Sequence, residues 1–498
     1  MKSFTDVLIC GAGAAGLTLA IDLARRGVAF RLLEKMPAPF HGSRGKGIQP
    51  RTQEVFEDLG IIDRAAAAGG LYPPARKYLA DGSFTKPETT ESARHTTPSE
   101  PYQQPLMLPQ FLTEAVMRER LAELGHYPEY ACELVGLKQS DKGVEARIAS
   151  PEGENILQAR YLVGADGGHS FVRSAVGIGF PGATLGIRAV VADIVLKGLT
   201  RDAWHQFGSG AQQLHLCPLA GTELFQLQAP IPTEGDVDLS AAGLEVMVTE
   251  RTGRTDIEIA SIHWASAYSM NARLADFYRV GNVFLVGDAA HIHPPTGGQG
   301  LNTSVQDSYN LGWKLAAALA GPSDKLLDTY EEERRPIAEG MLKLAIKLLD
   351  ASKTGENRRG REVQQLDIGY PDSSLSLQQT DRTRELVAGA RAPDAQIRGA
   401  GGQPTRLFEL FKGTHWTLLG YQTSRCAMPV LSHLRTHIFG PGGDVIDECG
   451  QVSDAYGLSA GDWVLVRPDC YIAAIVSSAR EETLKRYISS MVSPPSRF

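Results

Sequence analysis

Three stretches of this sequence carry residue types whose spacing could do chemistry without a protein nucleophile. The first is TDVLICGAGAAGLTLAIDLARRGVAFRLLEK, in which Gly11, Gly13 and Gly16 stand in a G-x-G-x-x-G spacing. The apolar run from Asp6 to Cys10 predicts a strand. A helix follows to about Arg26 and stops at Gly27, and a second strand from Ala29 to Leu33 ends at Glu34. Each part has a task in holding a dinucleotide. Gly11 permits a tight turn, Gly13 removes a side chain where backbone must approach a pyrophosphate, and Gly16 lets helix and strand pack closely. The helix N-terminus offers N–H groups and partial positive charge to the anion. Glu34 can accept hydrogen bonds from ribose hydroxyls, and an acid there rather than an arginine indicates FAD or NAD rather than NADP. The bland alternative is a glycine-rich turn that binds nothing.

The second stretch is RYLVGADGGHSFVRSAVGI, residues 160 to 178. It reads as a strand over Tyr161 to Val163, a glycine turn holding Asp166, and a helix from Ser170 to Val176 with Ser170 as N-cap. The third is VGDAAHIHPPTGGQGLNTSVQD, residues 286 to 307, which continues an apolar strand from Val283. Asp288, like Asp166, lies just past a strand end, where it can accept hydrogen bonds from a sugar or ribityl hydroxyl or merely close an Asx-turn. Pro294 and Pro295 fix φ and keep the chain out of helix, Gly297, Gly298 and Gly300 bare the main chain, and a fresh helix N-terminus follows at about Leu301. His291 and His293 form H-x-H, but with no third ligand evident they are expected to pack rather than bind metal.

These turns need a scaffold, and 498 residues supply two or three domains. Apolar content of 43% and charge of 21% permit a large core, and a net charge of -7 without a long basic run argues against nucleic acid as a partner. The six cysteines are scattered with no C-x-x-C pair, which fits a reducing compartment, the cytoplasm. Lys2 followed by VLICGAGAAGLTLA could pass for a signal peptide, but cleavage would destroy the glycine turn. No run of 18 apolar residues occurs, so no transmembrane helix and no membrane partner is expected. Residues 183 to 270 alternate in the manner of an antiparallel sheet, with Trp204, His205, Gln206, His215, Gln226 and His263 as candidate pocket residues. Residues 76 to 104 are a polar insertion. Residues 323 to 350 are helical, with Pro336 kinking the helix or starting a second one, and 352 to 366 form a mobile or linking piece before a last domain.

The glycine fingerprint, the GADG at 164–167 and the VGDAAH with P-P-x-G-x-G-x-N after it resemble the FAD-dependent aromatic hydroxylases, single-component flavoprotein monooxygenases of the para-hydroxybenzoate hydroxylase type. The match covers about the first 350 residues. GSRGKGIQPRTQEVFEDLGI, LPQFLTEAVMRERLAELG and the C-terminal extension resemble the branch acting on polyketides, phenolic antibiotics and hydroxyphenylpropionate. The family usually has SRA or SKA where this chain has Ser43-Arg44-Gly45, a departure expected to loosen the loop near the flavin.

The resemblance implies an α/β fold. A Rossmann-like FAD-binding domain would take 1–75, 105–180 and 276–350, and an antiparallel substrate sheet 76–104 and 181–275. A linker, 351–389, would lead to a thioredoxin-like domain, 390–498, without a C-x-x-C. It assigns Gly11, Gly13, Ala15 and Gly16 to the pyrophosphate, and Glu34, Lys35 and Leu134 to adenosine. Arg44 and Gln110 would hold FAD, Asp166 would serve FAD and the passing nicotinamide, Asp288 the ribityl chain, and Gly300, Leu301 and Asn302 the pyrimidine ring. Pro295 and Gly298 would be the backbone at the reacting flavin ring, and the helix from about Leu301 would aim its N–H groups at the N1–O2 edge, which is anionic in reduced flavin, lowering its energy by about 0.3–2 kcal/mol. The implied cofactors are FAD, transient NADPH or NADH, and molecular oxygen. The implied partner is a small aromatic substrate, hydroxylated through a flavin hydroperoxide, in a monomer or homodimer. With one dinucleotide fingerprint only, the nicotinamide would bind without a Rossmann domain of its own. Baeyer–Villiger oxidation or antibiotic inactivation on the same fold, and an FAD-holding protein without turnover, are the alternatives; the last would not need the intact PPTGGQGLN loop.

Overall fold

The computed structural model describes residues 3–79, 81–85, 97–321, 324–353, 360–378 and 386–491. Val7, Leu8 and Ile9 are wholly buried, as a central strand covered on both faces requires. Their strand, Ser3–Cys10, pairs in parallel with Phe30–Leu33 on one side and Gly153–Gly164 on the other, and Val283–Leu285 extends the parallel order beyond it. Register sets Leu33, Cys10, Gly164 and Leu285 side by side at the strand ends. The glycine turn, Glu34, Asp166 and Asp288 therefore open at one edge of one sheet, the carboxyl edge where parallel α/β sheets hold ligands. The helices Ala14–Arg25 and Gly300–Ala320 pack against each other behind it.

A second sheet of seven strands runs in the order His291–Ile292, Glu258–Leu274, Gly182–Lys197, Phe225–Ile231, Leu214–Pro218, Trp204–Phe207 and Ala75–Lys77. Its alternation is two-sided. Val190, Ala192, Ile194, Leu214, Leu216, Leu227 and Ala229 bury one face against Leu244 and Val248 of the helix Ala241–Thr252. Pairing then puts Asp193 beside Gln226, and His215 between Gln228 and Gln206, on the opposite face.

The third sheet takes Gln396–Gly399 through Ile472–Val476, with Trp416–Tyr421 parallel to Leu434–Phe439 and antiparallel to Trp463–Val466. This is the thioredoxin-like tail. A parallel crossover usually holds a helix, but only the short turn Arg425–Ala427 stands in this one.

One expectation is corrected, and one of two alternatives falls. Residues 360–378, read as part of a linker, pack into the body. Val363, Leu366, Ile368 and Tyr370 are buried, and Gln365 donates to Gln299 Oε1 at 2.6 Å. Pro336 starts no second helix, since it lies inside one helix, Asp324–Lys353. Of the linking piece, 354–359 lie outside the described residues, as do 80 and 86–96 of the polar insertion.

Candidate active site

At the glycine turn, space and conformation explain the sequence. Gly11 has φ +107°, and a Cβ on it would stand 2.2 Å from the Ala165 carbonyl oxygen; a Cβ on Gly16 would stand 1.9 Å from that of Gly11. Gly13 meets only Glu114 Oε1, at 3.8 Å, so its surroundings are open. Buried Ala15 packs beside Gly287. The helix that starts at Ala14 has no side-chain cap. Glu34 accepts from the Ala12 N–H at 2.9 Å and the Met36 N–H at 3.0 Å. The Cys132 N–H donates to the Glu34 carbonyl at 3.0 Å, which lays the strand containing Leu134 alongside, while Lys35 is exposed.

Gln110 opens the helix Gln110–Glu123, donating from its backbone to Gly45 O at 2.9 Å and from Nε2 to Glu114 Oε1 at 2.9 Å. Glu114, absent from the sequence-based assignment, is buried and also accepts from the Ala14 N–H. Burial pushes its carboxyl up to about 7, and Glu34 adds to the effect.

Beside the glycine turn, Asp166 Oδ2 accepts from Val172 N–H at 3.0 Å, while its Oδ1 is buried without a protein partner. Ser170 caps the short helix Phe171–Ala175. Arg173 spans the two aspartate turns, donating to Gly168 O at 2.9 Å and to Ala289 O at 2.8 Å. Asp288 is exposed on its open side, yet the surrounding protein desolvates it and raises its carboxyl, against the pull of His291 and Arg44.

Pro295 leads into a turn, Thr296–Gly298, where Gly297 and Gly298 have φ +82° and +66°. The helix Gly300–Ala320 follows without a side-chain cap, and nothing lies within 4 Å of a Cβ placed on Gly300. Asn302 staples this loop to residues 47–49. It donates to Gly47 O at 2.9 Å and Gly298 O at 2.7 Å and accepts from Gln49 N–H at 2.8 Å. Gln49, a second residue missed in the sequence, donates to Gly297 O at 3.2 Å and leaves its own Oε1 buried without a protein partner.

The loop around Arg44 is not loose. Arg44 is exposed over the Phe40 ring, but Ser43 is buried, and Asp193 of the second sheet accepts from both its N–H (2.7 Å) and its hydroxyl. Gln226 binds the Ser43 carbonyl and hydroxyl oxygens, and Trp264 lies where a Cβ on Gly42 would go. A Cβ on Gly45 would make an ordinary 3.8 Å contact with Leu301, so alanine would fit there.

Of the pocket candidates, Trp204, Gln206, His215 and Gln226 share the face turned to this loop. His205 does not; it is buried on the opposite face between Tyr78 Oη (2.9 Å) and Thr200 O (2.7 Å). His263 is exposed at the rim beside His41 and Phe111. Among the described residues no three His, Cys, Asp or Glu converge as a metal site. His291 Nε2 instead binds Asp307 at 2.7 Å, and burial holds His293 down to about 3.

A parallel sheet with open glycine and aspartate turns at its carboxyl edge, bonded through Ser43 to the polar face of an antiparallel sheet, has the architecture of a nucleotide-cofactor enzyme. The FAD binding domain family matches residues 4–345, and the family described as aromatic-ring hydroxylase, C-terminal, matches 385–495. The chain belongs to the FAD-dependent aromatic hydroxylases and is a flavin-dependent aromatic monooxygenase. It is 40% identical to a flavin-dependent monooxygenase of Mycobacteroides abscessus over 493 residues, 98% of this chain and 100% of that one. It is 32% identical to the 12-dehydrotetracycline 5-monooxygenase/anhydrotetracycline 6-monooxygenase of Streptomyces rimosus, covering 94% of each chain. Among solved structures, PieE, a flavin-dependent monooxygenase in complex with FAD and substrate, superposes with a TM-score of 0.85 at 26% identity, covering 99% of each chain. Aklavinone-11 hydroxylase with FAD and aklavinone gives 0.84 at 27%, covering 98% of this chain and 99% of that one.

Proposed function

We propose that this chain is an NAD(P)H-consuming monooxygenase that places one atom of molecular oxygen on the ring of a phenolic or polyketide-type aromatic substrate. The observation that carries the reading is the 295–302 loop. It combines two glycines at positive φ with an uncapped helix N-terminus and lies beside a buried acceptor, Gln49 Oε1, that no protein donor meets. The relatives' names supply the substrate class, anhydrotetracycline and rifampicin monooxygenases among them.

FAD fits the residues present. Gly11, Gly13, Ala15 and Gly16 would take the pyrophosphate, and Glu34, Lys35 and Leu134 the adenosine. Arg44, Gln110 and Asp288 would hold the chain between, and Asp166 Oδ1 would find its missing donor in a cofactor hydroxyl. Pro295, Gly298, Gly300, Leu301 and Asn302 would face the ring. When bound, FAD accepts a hydride from the nicotinamide and activates oxygen; the organic chemistry belongs to the cofactor. The protein's part is positional. The second sheet roofs the chamber and keeps water out, and the Ser43–Asp193 bond ties that roof to the loop carrying Arg44. We place the enzyme in the cytoplasm, as a monomer or homodimer.

The test is anaerobic mixing of FAD-loaded protein with NADPH and with NADH, in the presence of a phenol panel, followed by oxygen and product mass. Flavin bleaching and a product heavier by one oxygen on the ring are expected. Flavin that no nicotinamide reduces across the panel overturns the reading, and insertion into a ketone would assign Baeyer–Villiger chemistry instead.

A further inference from the structure

The two family matches leave residues 346–384 between them. In that stretch the turn Arg361–Gln364 meets the 295–302 loop, where Val363 O accepts from Gln299 Nε2, and it ends at Gln365. Gln365 has φ +62° and ψ +14°, a left-handed conformation that suits glycine and costs any residue with a Cβ. It is also 2% exposed, so its amide is enclosed by protein. A buried glutamine kept in a strained backbone must gain from its side chain what the main chain loses.

The gain is a chain of side-chain amides whose direction is fixed at the loop. Carbonyl oxygens only accept, so the Gln299 nitrogen is the atom that faces Gly297 O at 2.8 Å and Val363 O at 3.2 Å. Its oxygen is thereby turned to Gln365, whose Nε2 donates to it at 2.6 Å. Gln365 Oε1 in turn accepts from Gln306 Nε2 at 2.5 Å. Gln365 Nε2 also lies 3.3 Å from Thr303 Oγ, an oxygen whose own proton goes to Gln299 O at 3.0 Å. All four side chains are buried. Gln299 directly precedes the helix Gly300–Ala320, and Thr303 and Gln306 stand on its first two turns. Gln365 therefore bridges loop and helix from a segment that belongs to neither. The loop end of the chain matters because Gly297 O has only one other side-chain donor among the described residues, Gln49 Nε2 at 3.2 Å. The next carbonyl, Gly298 O, is held by Asn302 at 2.7 Å.

We propose that Gln365 is a positioning residue for the flavin. Through Gln299 it keeps the Gly297 carbonyl turned into the protein, so that the loop and the helix N-terminus present N–H groups to the ring instead of a carbonyl oxygen. The inference rests on the monooxygenase reading above. Without Gln365, Gln299 Oε1 is a buried acceptor with no donor among the described residues, and the amide loses the orientation that its bond to Gly297 O requires. A carbonyl oxygen released toward the ring carries partial negative charge. It opposes the anionic reduced flavin more than the neutral oxidised one, so the potential falls.

The experiment compares the wild type with Gln365→Met, Gln365→Gly, Gln299→Met and the double variant Gln299→Met/Gln365→Met. Each is loaded with FAD, and the midpoint potential of the bound flavin is read by equilibration with redox dyes, beside FAD affinity and melting temperature. Gln365→Gly relieves the backbone while removing the amide, so it decides the matter where Gln365→Met folds poorly. Both Gln365 variants should prefer reduced over oxidised FAD about tenfold less than the wild type, a potential about 30 mV lower. Gln299→Met should match them, and the double variant should go no further, because two residues acting as one unit are not additive. A potential unchanged in the Gln365 variants, however much their melting temperatures fall, overturns the proposal, as does a shift in the double variant equal to the sum of the single ones. A wild type that binds no FAD sinks the monooxygenase reading and this proposal with it; failure of the variants alone sinks only the proposal.

Discussion

Glu114 shows how one buried carboxyl can couple cofactor binding to pH. It occupies the N-terminus of the Ala14–Arg25 helix, the position proposed for the pyrophosphate, and burial holds its pKa at about 7. Two phosphate charges nearby would raise it further, so FAD should bind better when Glu114 is protonated. The sign is fixed by the direction of the shift. The folded chain holds the proton more tightly than the unfolded one, so the group's cost to stability and affinity grows as pH rises through about 7. FAD titrations of apoprotein should therefore weaken from about pH 6 to about pH 9 in the wild type. Glu114→Gln, which keeps an acceptor for Gln110, should flatten that dependence, bind FAD more tightly at the alkaline end, and raise the apoprotein melting temperature there but not at acidic pH. An unchanged slope in Glu114→Gln would remove the pyrophosphate from this helix end.

At the scale of elements, the turns at the carboxyl edge of the first sheet were legible because their signals are local. A strand, a glycine turn and a helix N-terminus lie within a few residues of each other, and parallel register then aligns Cys10, Gly164 and Leu285. The roof was not legible in the same way. Trp204, His205 and Gln206 are consecutive, and a strand with a period of two cannot turn all three to one side; only the pairing with Leu214–Pro218 decides that His205 is the one facing away. The grip of Asp193 on Ser43 joins residues 150 apart, so a family departure at Gly45 misled about the loop's rigidity. The flavin loop gives a prediction at this scale. Gly298 is exposed with φ +66°, and valine there meets both backbone strain, about 1–3 kcal/mol, and the proposed ring face. Gly186, exposed with φ +65° and nothing within 4 Å, isolates the strain. Gly298→Val should elute from gel filtration without flavin, whereas Gly186→Val should lose similar stability and stay yellow. Equal flavin content in the two variants would take the ring away from this loop.

For the whole molecule, the thioredoxin-like tail is fastened to the Gly300–Ala320 helix by buried charge. Glu333 accepts from Arg467 of the tail at 2.6 and 2.9 Å and from Lys314 and Asn310 of the Gly300–Ala320 helix at 2.7 Å each, and Arg467 also pairs with Asp469. All five side chains are buried, as is Ser373, which donates to Glu333 at 2.7 Å. Opposite burial, the Arg467 and Lys314 charges hold the Glu333 carboxyl well below its usual range. Removing the negative centre leaves the buried Arg467 and Lys314 with Asp469 as their one remaining counter-charge in this cluster, and breaking a buried pair in this way costs about 3–5 kcal/mol. Glu333→Gln should lower the urea midpoint at neutral pH by an amount in that range. Because the folded pKa is depressed, the stability Glu333 supplies is present above its ordinary pKa and drains away as pH falls from there toward the folded value. The gap between wild type and Glu333→Gln should therefore close on acidification. The same cluster anchors the helix whose first turn carries Leu301 and Asn302, so the variant should also retain less FAD although Glu333 touches neither. If Glu333→Gln unfolds at the wild-type urea concentration at neutral pH, the tail is a passenger on the fold; if it is destabilised yet keeps FAD fully, the helix is positioned by its packing against Ala14–Arg25 instead.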